Sequence, residues 1–294
     1  MEIFGVPTAL LGSQLLVGLI NGSFYAILSL GLAIIFGLLN IINFAHGAQY
    51  MMGAFIAWLA LTKFEVNYWV ALIAAPLLVG LLGVLLERTM LRKLYKLDHL
   101  YGLLLTFGLA LIIEGIFRDQ FGISGESYEV PEALSGGIHL GFMFLPLYRA
   151  WVVVASLTVC FGTWFMIEKT RLGAYLRAGT ENPQIVQALG INVPLLITFT
   201  YGYGVALAAF AGVLAAPVFQ VNPLMGSNLI IVVFAVVVIG GMGSILGAVI
   251  TGFALGLVEG LTKVFYPEAA STVIFVVMAI VLMIKPAGLF GKRS

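Results

Sequence analysis

The sequence predicts an all-α polytopic membrane protein, and three observations support this fold class. Hydrophobic residues make up 62% of the 294-residue chain and charged residues only 9%, whereas soluble domains carry about 25% charged residues. Continuous apolar runs recur along the chain, and their length is close to the roughly 20 residues that a helix needs to cross the hydrocarbon core. Transmembrane barrels instead show segments of about ten alternating residues, so the predicted spans are helices.

About nine spans are predicted, and eight or ten also fit the pattern if the glycine-punctuated stretch 226–247 is re-entrant. The chain, 1–294, is then one transmembrane domain embedded in the lipid bilayer. The first apolar run is expected to be a retained span, because it lacks the basic region of a cleavable signal peptide. The predicted spans are 9–36, 43–62, 68–87, 101–117, 150–167, 195–216, 228–242, 246–263 and 271–285.

The basic residues predict the orientation. Most of the 14 Lys and Arg residues fall in three segments, which the positive-inside rule assigns to the cytoplasm. The acidic segment 118–148 is assigned to the outside. With nine spans, the N-terminus is then outside and the C-terminus cytoplasmic. The basic residues of the three segments are Arg88, Arg92, Lys93 and Lys96, then Lys169, Arg171 and Arg177, then Lys285, Lys292 and Arg293.

Small residues recur every four positions in two spans, which is the spacing that lets helix backbones approach closely. They predict packing within the helix bundle, with a dimer face as the alternative. These residues are Gly252, Gly256 and Gly260 in one span and Gly204, Ala208, Gly212 and Ala216 in another. A weak internal similarity between 32–55 and 233–256 also suggests a repeat, because both run from apolar helix through a glycine-rich break to a small-residue helix.

Polar residues form one face on each of the first two predicted spans. Unpaired polar groups in lipid cost several kcal/mol, so both faces are expected to point inward, either bonded to each other or lining a water-filled route. For His46 the same alternatives are interhelical hydrogen bonding and contact with a transported solute. The first face comprises Gln14, Gly18, Asn21, Tyr25 and Ser29, and the second comprises Asn43, His46, Gly47, Tyr50, Gly53 and Ala54. The predicted path residues are Gln14, Asn21, Tyr25, Asn43, His46 and Tyr50.

The longest cytoplasmic connection, 168–194, contains a short predicted helix, "PQIVQAL". Asn182 suits its N-cap, Pro183 its first position and Gly190 its end. Apolar residues at 185, 186 and 189 share one side. A helix this short is unstable alone, so it is expected to dock on the membrane domain, on another protein or on the bilayer surface.

No pattern of enzyme or cofactor chemistry is found in the sequence. Cys160 is the single cysteine, no metal-ligand spacing surrounds His46, and the phosphate-loop pattern is missing. The sequence therefore predicts a protein that is not an enzyme, with no catalytic residues, metal or cofactor of its own and no nucleic-acid partner. A proton-coupled carrier is disfavoured because no isolated acid lies in the middle of a span.

Three motifs, "GLLNIINFAHGAQYMMGAF", "RAGTENPQIVQALGIN" and "VVVIGGMGSILGAVITG", resemble the permease subunits of branched-chain amino acid ABC importers. The resemblance covers about residues 10–290. It implies alternating access in the bacterial inner (plasma) membrane, together with a second homologous permease, two cytoplasmic ATPases that bind the ATP, and a periplasmic or extracellular substrate-binding protein. Related permeases import urea or amides, which is one alternative for the substrate.

The resemblance also gives the short helix a role, because such importers insert a cytoplasmic coupling helix into the ATPase. Asn182, which follows Glu181, departs from the sequence pattern that is usual in the coupling loop of that family. A channel or facilitator that works without ATP is the alternative from another class, and it has no need of this loop. The implied coupling residues are Glu181, Pro183, Ile185, Val186, Leu189 and Gly190.

Overall fold

The computed structural model describes residues 2–3, 6–39, 41–95 and 97–291, and α-helices carry the fold of these residues. The helices are α1 (Thr8–Leu39), α2 (His46–Phe64), α3 (Tyr68–Thr89), α4 (His99–Phe121), α5 (Leu147–Lys169), α6 (Arg171–Glu181), α7 (Pro183–Ala188), α8 (Val193–Ala215), α9 (Met225–Gly240), α10 (Ile245–Phe265) and α11 (Val273–Ile284). Two short antiparallel pairs, β1 with β2 and β3 with β4, accompany them. The strands are β1 (Glu2–Ile3), β2 (Val6–Pro7), β3 (Gly137–His139) and β4 (Phe144–Pro146).

Every predicted span overlaps one helix among α1–α5 and α8–α11 for most of its length, so the predicted helix positions are confirmed apart from shifts of a few residues at their ends. Within the described residues, six helices are long and apolar enough to cross a membrane, and α9 and α11 are shorter apolar helices. These features confirm an all-α polytopic membrane protein. The count of nine crossings and the sides on which the termini lie stay predictions.

Side-chain caps explain where several of the helices begin. Asn67 accepts a hydrogen bond from Trp69 N at 2.9 Å at the start of α3, and Asp98 does the same for Leu100 N at 2.9 Å at the start of α4. Asn192 and Ser244 cap α8 and α10 in the same way. Each cap satisfies a backbone N–H that has no partner within its helix.

The described basic segments gather at one end of the bundle. Leu39, at the end of α1, lines one cavity with Leu91 and another with Leu176. Phe290 lines a third cavity with Arg177. This grouping of the segments after α3, after α5 and after α11 is consistent with a common side. Lys96, Lys292 and Arg293 lie outside the described residues.

The small residues that recur every four positions in α8 and α10, called the glycine ridges below, lie between helices of the bundle. A Cβ on Gly22 would lie 3.0 Å from Phe253 Cα, and a Cβ on Gly252 would lie 2.7 Å from Ala26 Cα. The α1 and α10 backbones are therefore in near contact along their length. The same holds for α8, where Gly204 meets Gly31 of α1. The predicted role in bundle packing is confirmed for Gly252 and Gly204.

The second predicted span begins later than expected, and it begins inside the bundle. Residues 41–45 are not helical, and Asn43 is fully buried. The Thr106 hydroxyl of α4 donates to the Ile42 carbonyl at 2.9 Å and accepts from Phe44 N at 3.1 Å. Buried non-helical backbone needs such partners. Asn40, which precedes this segment, lies outside the described residues.

Candidate translocation path and coupling loop

Among the residues of the polar face on α1, Tyr25 makes a side-chain hydrogen bond to another helix. It is buried, and its hydroxyl donates to Glu259 Oε2 of α10 at 2.7 Å. Glu259 Oε1 accepts from Lys263 Nζ at 2.5 Å, one turn further along α10. The ion pair between Glu259 and Lys263 therefore belongs to a chain of polar contacts that reaches α1.

The other predicted path residues of α1 are less engaged. Gln14 and Asn21 are half-buried, and neither side chain makes a hydrogen bond to the described part of the chain. Ser29 is buried and donates to the Tyr25 carbonyl at 2.5 Å. The face therefore packs mainly on α10.

Asn43 lies in the buried non-helical segment before α2. Its Nδ2 donates to Gln49 Oε1 at 3.0 Å, so its side chain does not cap α2. Asn43 Oδ1 and Gln49 Nε2 are both buried without a partner among the described residues. Gln49 was missed as a site residue because it lies off the face on which the sequence pattern places Asn43 and His46.

His46 joins α2 to α1. Its ring is fully buried, and Nε2 lies 3.0 Å from the Leu28 carbonyl oxygen. The interhelical hydrogen bond considered for His46 is present, and contact with a solute stays a prediction. Gly47 packs on Gly226 of α9, whereas Gly53 packs on Ala209 of α8. The predicted α2 face is therefore divided between neighbouring helices.

Glu87 is a buried carboxylate that the sequence analysis did not single out. It accepts from Thr198 Oγ1 of α8 at 2.7 Å and from Tyr95 Oη at 2.7 Å. Burial first, and then the hydrogen bond to Glu87, raise the pKa of the Tyr95 hydroxyl above its usual value, so Tyr95 remains the donor. The only sequence signal for this site is an acid at the end of an apolar run.

The segment 168–194, predicted to be cytoplasmic, contains two helices, and the sequence predicted the second. The α7 helix begins at Pro183, its cap Asn182 accepts from Ile185 N at 3.2 Å, and Gly190 has a φ of +82°. These features confirm the predicted cap, first residue and terminator. The helix ends at Ala188, one residue earlier than expected. The preceding α6 was not predicted.

The three apolar side chains on one side of α7 differ in how far they are buried. Val186 is 5% exposed, whereas Ile185 is 59% and Leu189 74% exposed. Only Val186 is therefore buried against the rest of the chain, as expected if the helix docks on the membrane domain. Glu181, at the end of α6, lines a cleft of about 410 Å³ together with Arg177 and Glu168.

The family described as "Branched-chain amino acid transport system / permease component" matches residues 14–283. The chain belongs to this family. The chain is 32% identical to the high-affinity branched-chain amino acid transport system permease protein BraD of Pseudomonas aeruginosa, with 95% of each chain covered.

Two further relatives of this permease family match over nearly the whole chain. LivH of Escherichia coli K12, named a high-affinity branched-chain amino acid transport system permease protein, is 28% identical, with 95% of each chain covered. A probable branched-chain amino acid permease from Methanocaldococcus jannaschii is 26% identical over 93% of this chain and 90% of that relative. The resemblance noted in the sequence motifs is thereby confirmed.

Proposed function

We propose that this protein is the transmembrane permease subunit of an ATP-binding-cassette importer for branched-chain or similar neutral amino acids. The family match over residues 14–283 carries this conclusion. The named relatives are permeases for branched-chain amino acids, and they align over almost their full length. A urea or amide substrate is the alternative within the same family.

The proposed topology has nine crossings, with the N-terminus outside and the C-terminus in the cytoplasm of a bacterial inner membrane. The basic residues after α3, after α5 and after α11 would then face the cytoplasm, as the positive-inside rule requires. The hairpin of β3 and β4 would face the outside. In this orientation the segment 168–194 lies where a cytoplasmic partner can reach it.

The proposed coupling element is the segment 168–194, with α7 as the part that enters an ATPase. Ile185 and Leu189 support this, since both are apolar and mostly exposed on a polar loop. Two apolar side chains that lie one helical turn apart suit a hydrophobic groove on a partner protein. Two ATPases, a second homologous permease and an external binding protein complete the proposed importer, and the ATPases bind its ATP.

The proposed path for the amino acid runs beside α1 and α2. Asn, Gln, Tyr and His side chains offer weak, reversible contacts without a fixed charge, which suits passage of a zwitterion. The protein itself carries out no covalent chemistry and needs no metal or cofactor. An ATP-independent channel has no use for the exposed apolar turn of α7, and it is the alternative that the experiment below tests.

Co-purification of this chain with its ATPases tests the proposal. We expect Ile185→Asp to abolish capture of the ATPases, because it places a charge in an apolar contact. Gln184→Asp is the matched control, since Gln184 is exposed on the same helix, and it should retain capture. Equal capture by both variants, or uptake of L-leucine by vesicles that hold this chain without any ATPase, would contradict the proposal.

A further inference from the structure

The chain contains two similar halves, and their first helices, α1 and α8, run in opposite directions. Phe24, in the middle of α1, contacts Phe219 beyond the end of α8, whereas Leu39, at the end of α1, lines a gap with Val193 at the start of α8. The first half is α1–α4 and the second is α8–α11. The α1 helix of the first half packs on α10 of the second half. In the corresponding way, α8 of the second half packs on α3 of the first half. Counterparts also meet each other. A Cβ on Gly31 of α1 would lie 2.8 Å from the Gly204 carbonyl of α8, and a Cβ on Gly204 would lie 2.9 Å from the Gly31 carbonyl.

The entrances to α2 and α9 match in sequence and in geometry. "NFAHGAQ" at 43–49 aligns with "NPLMGSN" at 222–228, sharing the asparagine, the glycine and a terminal amide. The Asn43 carbonyl accepts from His46 N at 3.3 Å, and the Asn222 carbonyl accepts from Met225 N at 3.2 Å. These matches favour a second relation, between 43–49 and 222–228, and the repeat suggested between 32–55 and 233–256 stays a prediction.

The buried carboxylates follow the same relation. Glu87 of α3 accepts a hydroxyl from Thr198 of α8, and Glu259 of α10 accepts one from Tyr25 of α1, both at 2.7 Å. Tyr25 and Thr198, like Glu87 and Glu259, occupy corresponding places in the two halves. Inverted repeats of this kind place substrate sites where their broken helices meet.

The N-termini of α2 and α9 meet at the centre of this repeat. A Cβ on Gly47 would lie 2.6 Å from the Gly226 carbonyl oxygen, so only glycine permits the approach. Neither helix has a side-chain N-cap. Two uncapped N-termini thus face one point, and each carries a partial positive charge of about half a unit.

The gap at this point also holds unpaired polar groups. His46 lines it and is 0% exposed, and its Nδ1 has no hydrogen-bond partner among the described residues. Tyr50 lines the same gap and is buried, and its hydroxyl makes no hydrogen bond to the described part of the chain. Leu28, Leu229 and Val233 form an apolar wall beside these groups.

We propose that the facing N-termini of α2 and α9, with His46 and Tyr50, form a transient binding point for the carboxylate of the transported amino acid. The apolar wall would receive its aliphatic side chain. Backbone N–H groups at a helix N-terminus bind carboxylates without a fixed countercharge. The gap is closed to water in this conformation, so binding requires α2 and α9 to separate. The inference rests on the proposed function.

The test uses the complete importer in proteoliposomes, with L-leucine as the probe. Tyr50→Phe removes only a hydroxyl that has no partner in the described residues. We expect it to lower leucine uptake per ATP hydrolysed about tenfold, the size of one hydrogen bond to a charged group. ATPase stimulation by the leucine-loaded binding protein should remain. Tyr203→Phe is the matched control, since the Tyr203 hydroxyl lies 2.6 Å from Thr163 Oγ1, away from the gap.

Unchanged uptake per ATP in Tyr50→Phe, or the same loss in Tyr203→Phe, would overturn the inference. A wild-type importer without ATP-dependent uptake would instead overturn the proposed function. A second measurement does not depend on variants. With ¹⁵N-histidine in the chain and ¹³C in the leucine carboxyl group, solid-state NMR of an occluded complex should detect their proximity at His46. No such coupling in a leucine-loaded complex would also overturn the inference.

Discussion

Replacing Gly252 by alanine tests the close packing of α1 against α10. A Cβ at this position would lie 2.7 Å from Ala26 Cα and 2.7 Å from Ala26 N, whereas ordinary contact begins at 3.4 Å. Both neighbours are backbone atoms, so α10 must move away by about 0.7 Å. Overpacking of this kind costs about 1–3 kcal/mol, and it exceeds the gain of about 0.5–1 kcal/mol that alanine brings to a helix.

The measurement is thermal unfolding of the detergent-solubilised protein, followed by the folded fraction on size exclusion. Gly252→Ala should lower Tm by several degrees, at about 2–4 °C per kcal/mol. Gly108→Ala in α4 is the matched control, because a Cβ there would meet nothing within 4 Å. It should be neutral or slightly stabilising. If Gly252→Ala is as stable as Gly108→Ala, the packing argument is incorrect.

Two further predictions concern buried hydrogen bonds. Glu87→Gln should lower the unfolding free energy by about 1.5–3 kcal/mol, because it weakens charge-assisted bonds from Thr198 and Tyr95. Glu129→Gln, at an exposed position, should stay within about 0.5 kcal/mol of the wild type, and equal effects of the two would refute this reasoning. Ser156→Ala removes the bond that Ser156 Oγ donates to the Ser23 carbonyl at 2.9 Å between α5 and α1. It should lower the unfolding free energy by about 1 kcal/mol, and an unchanged Tm would show that this bond contributes nothing.

The sequence predicted the helices well because hydrophobic length and end signals are local properties. Asn182, Pro183 and Gly190 act within a few residues of each other, so the position of α7 could be predicted without tertiary information. The glycine ridges were also predictable, since close helix approach requires small residues at regular spacing.

The sequence did not predict features that depend on distant partners. The late start of α2 rests on Thr106, which lies on another helix and satisfies the backbone of 41–45. Glu87 is buried because Thr198 lies beside it on α8. A periodic pattern places residues on a face of one helix, but it does not say which neighbour that face meets. The two halves, α1–α4 and α8–α11, also share a pattern of contacts between helices far more clearly than they share residue types.

The central claim is that this chain transports amino acids only when partner ATPases drive it. Uptake of radiolabelled L-leucine into proteoliposomes measures it most directly, using the complete importer with either active ATPases or ATPases that bind ATP without hydrolysing it. The account predicts uptake with the active ATPases and only background uptake with the inactive ones. Equal uptake in both, or uptake by vesicles that contain this chain alone, would contradict it.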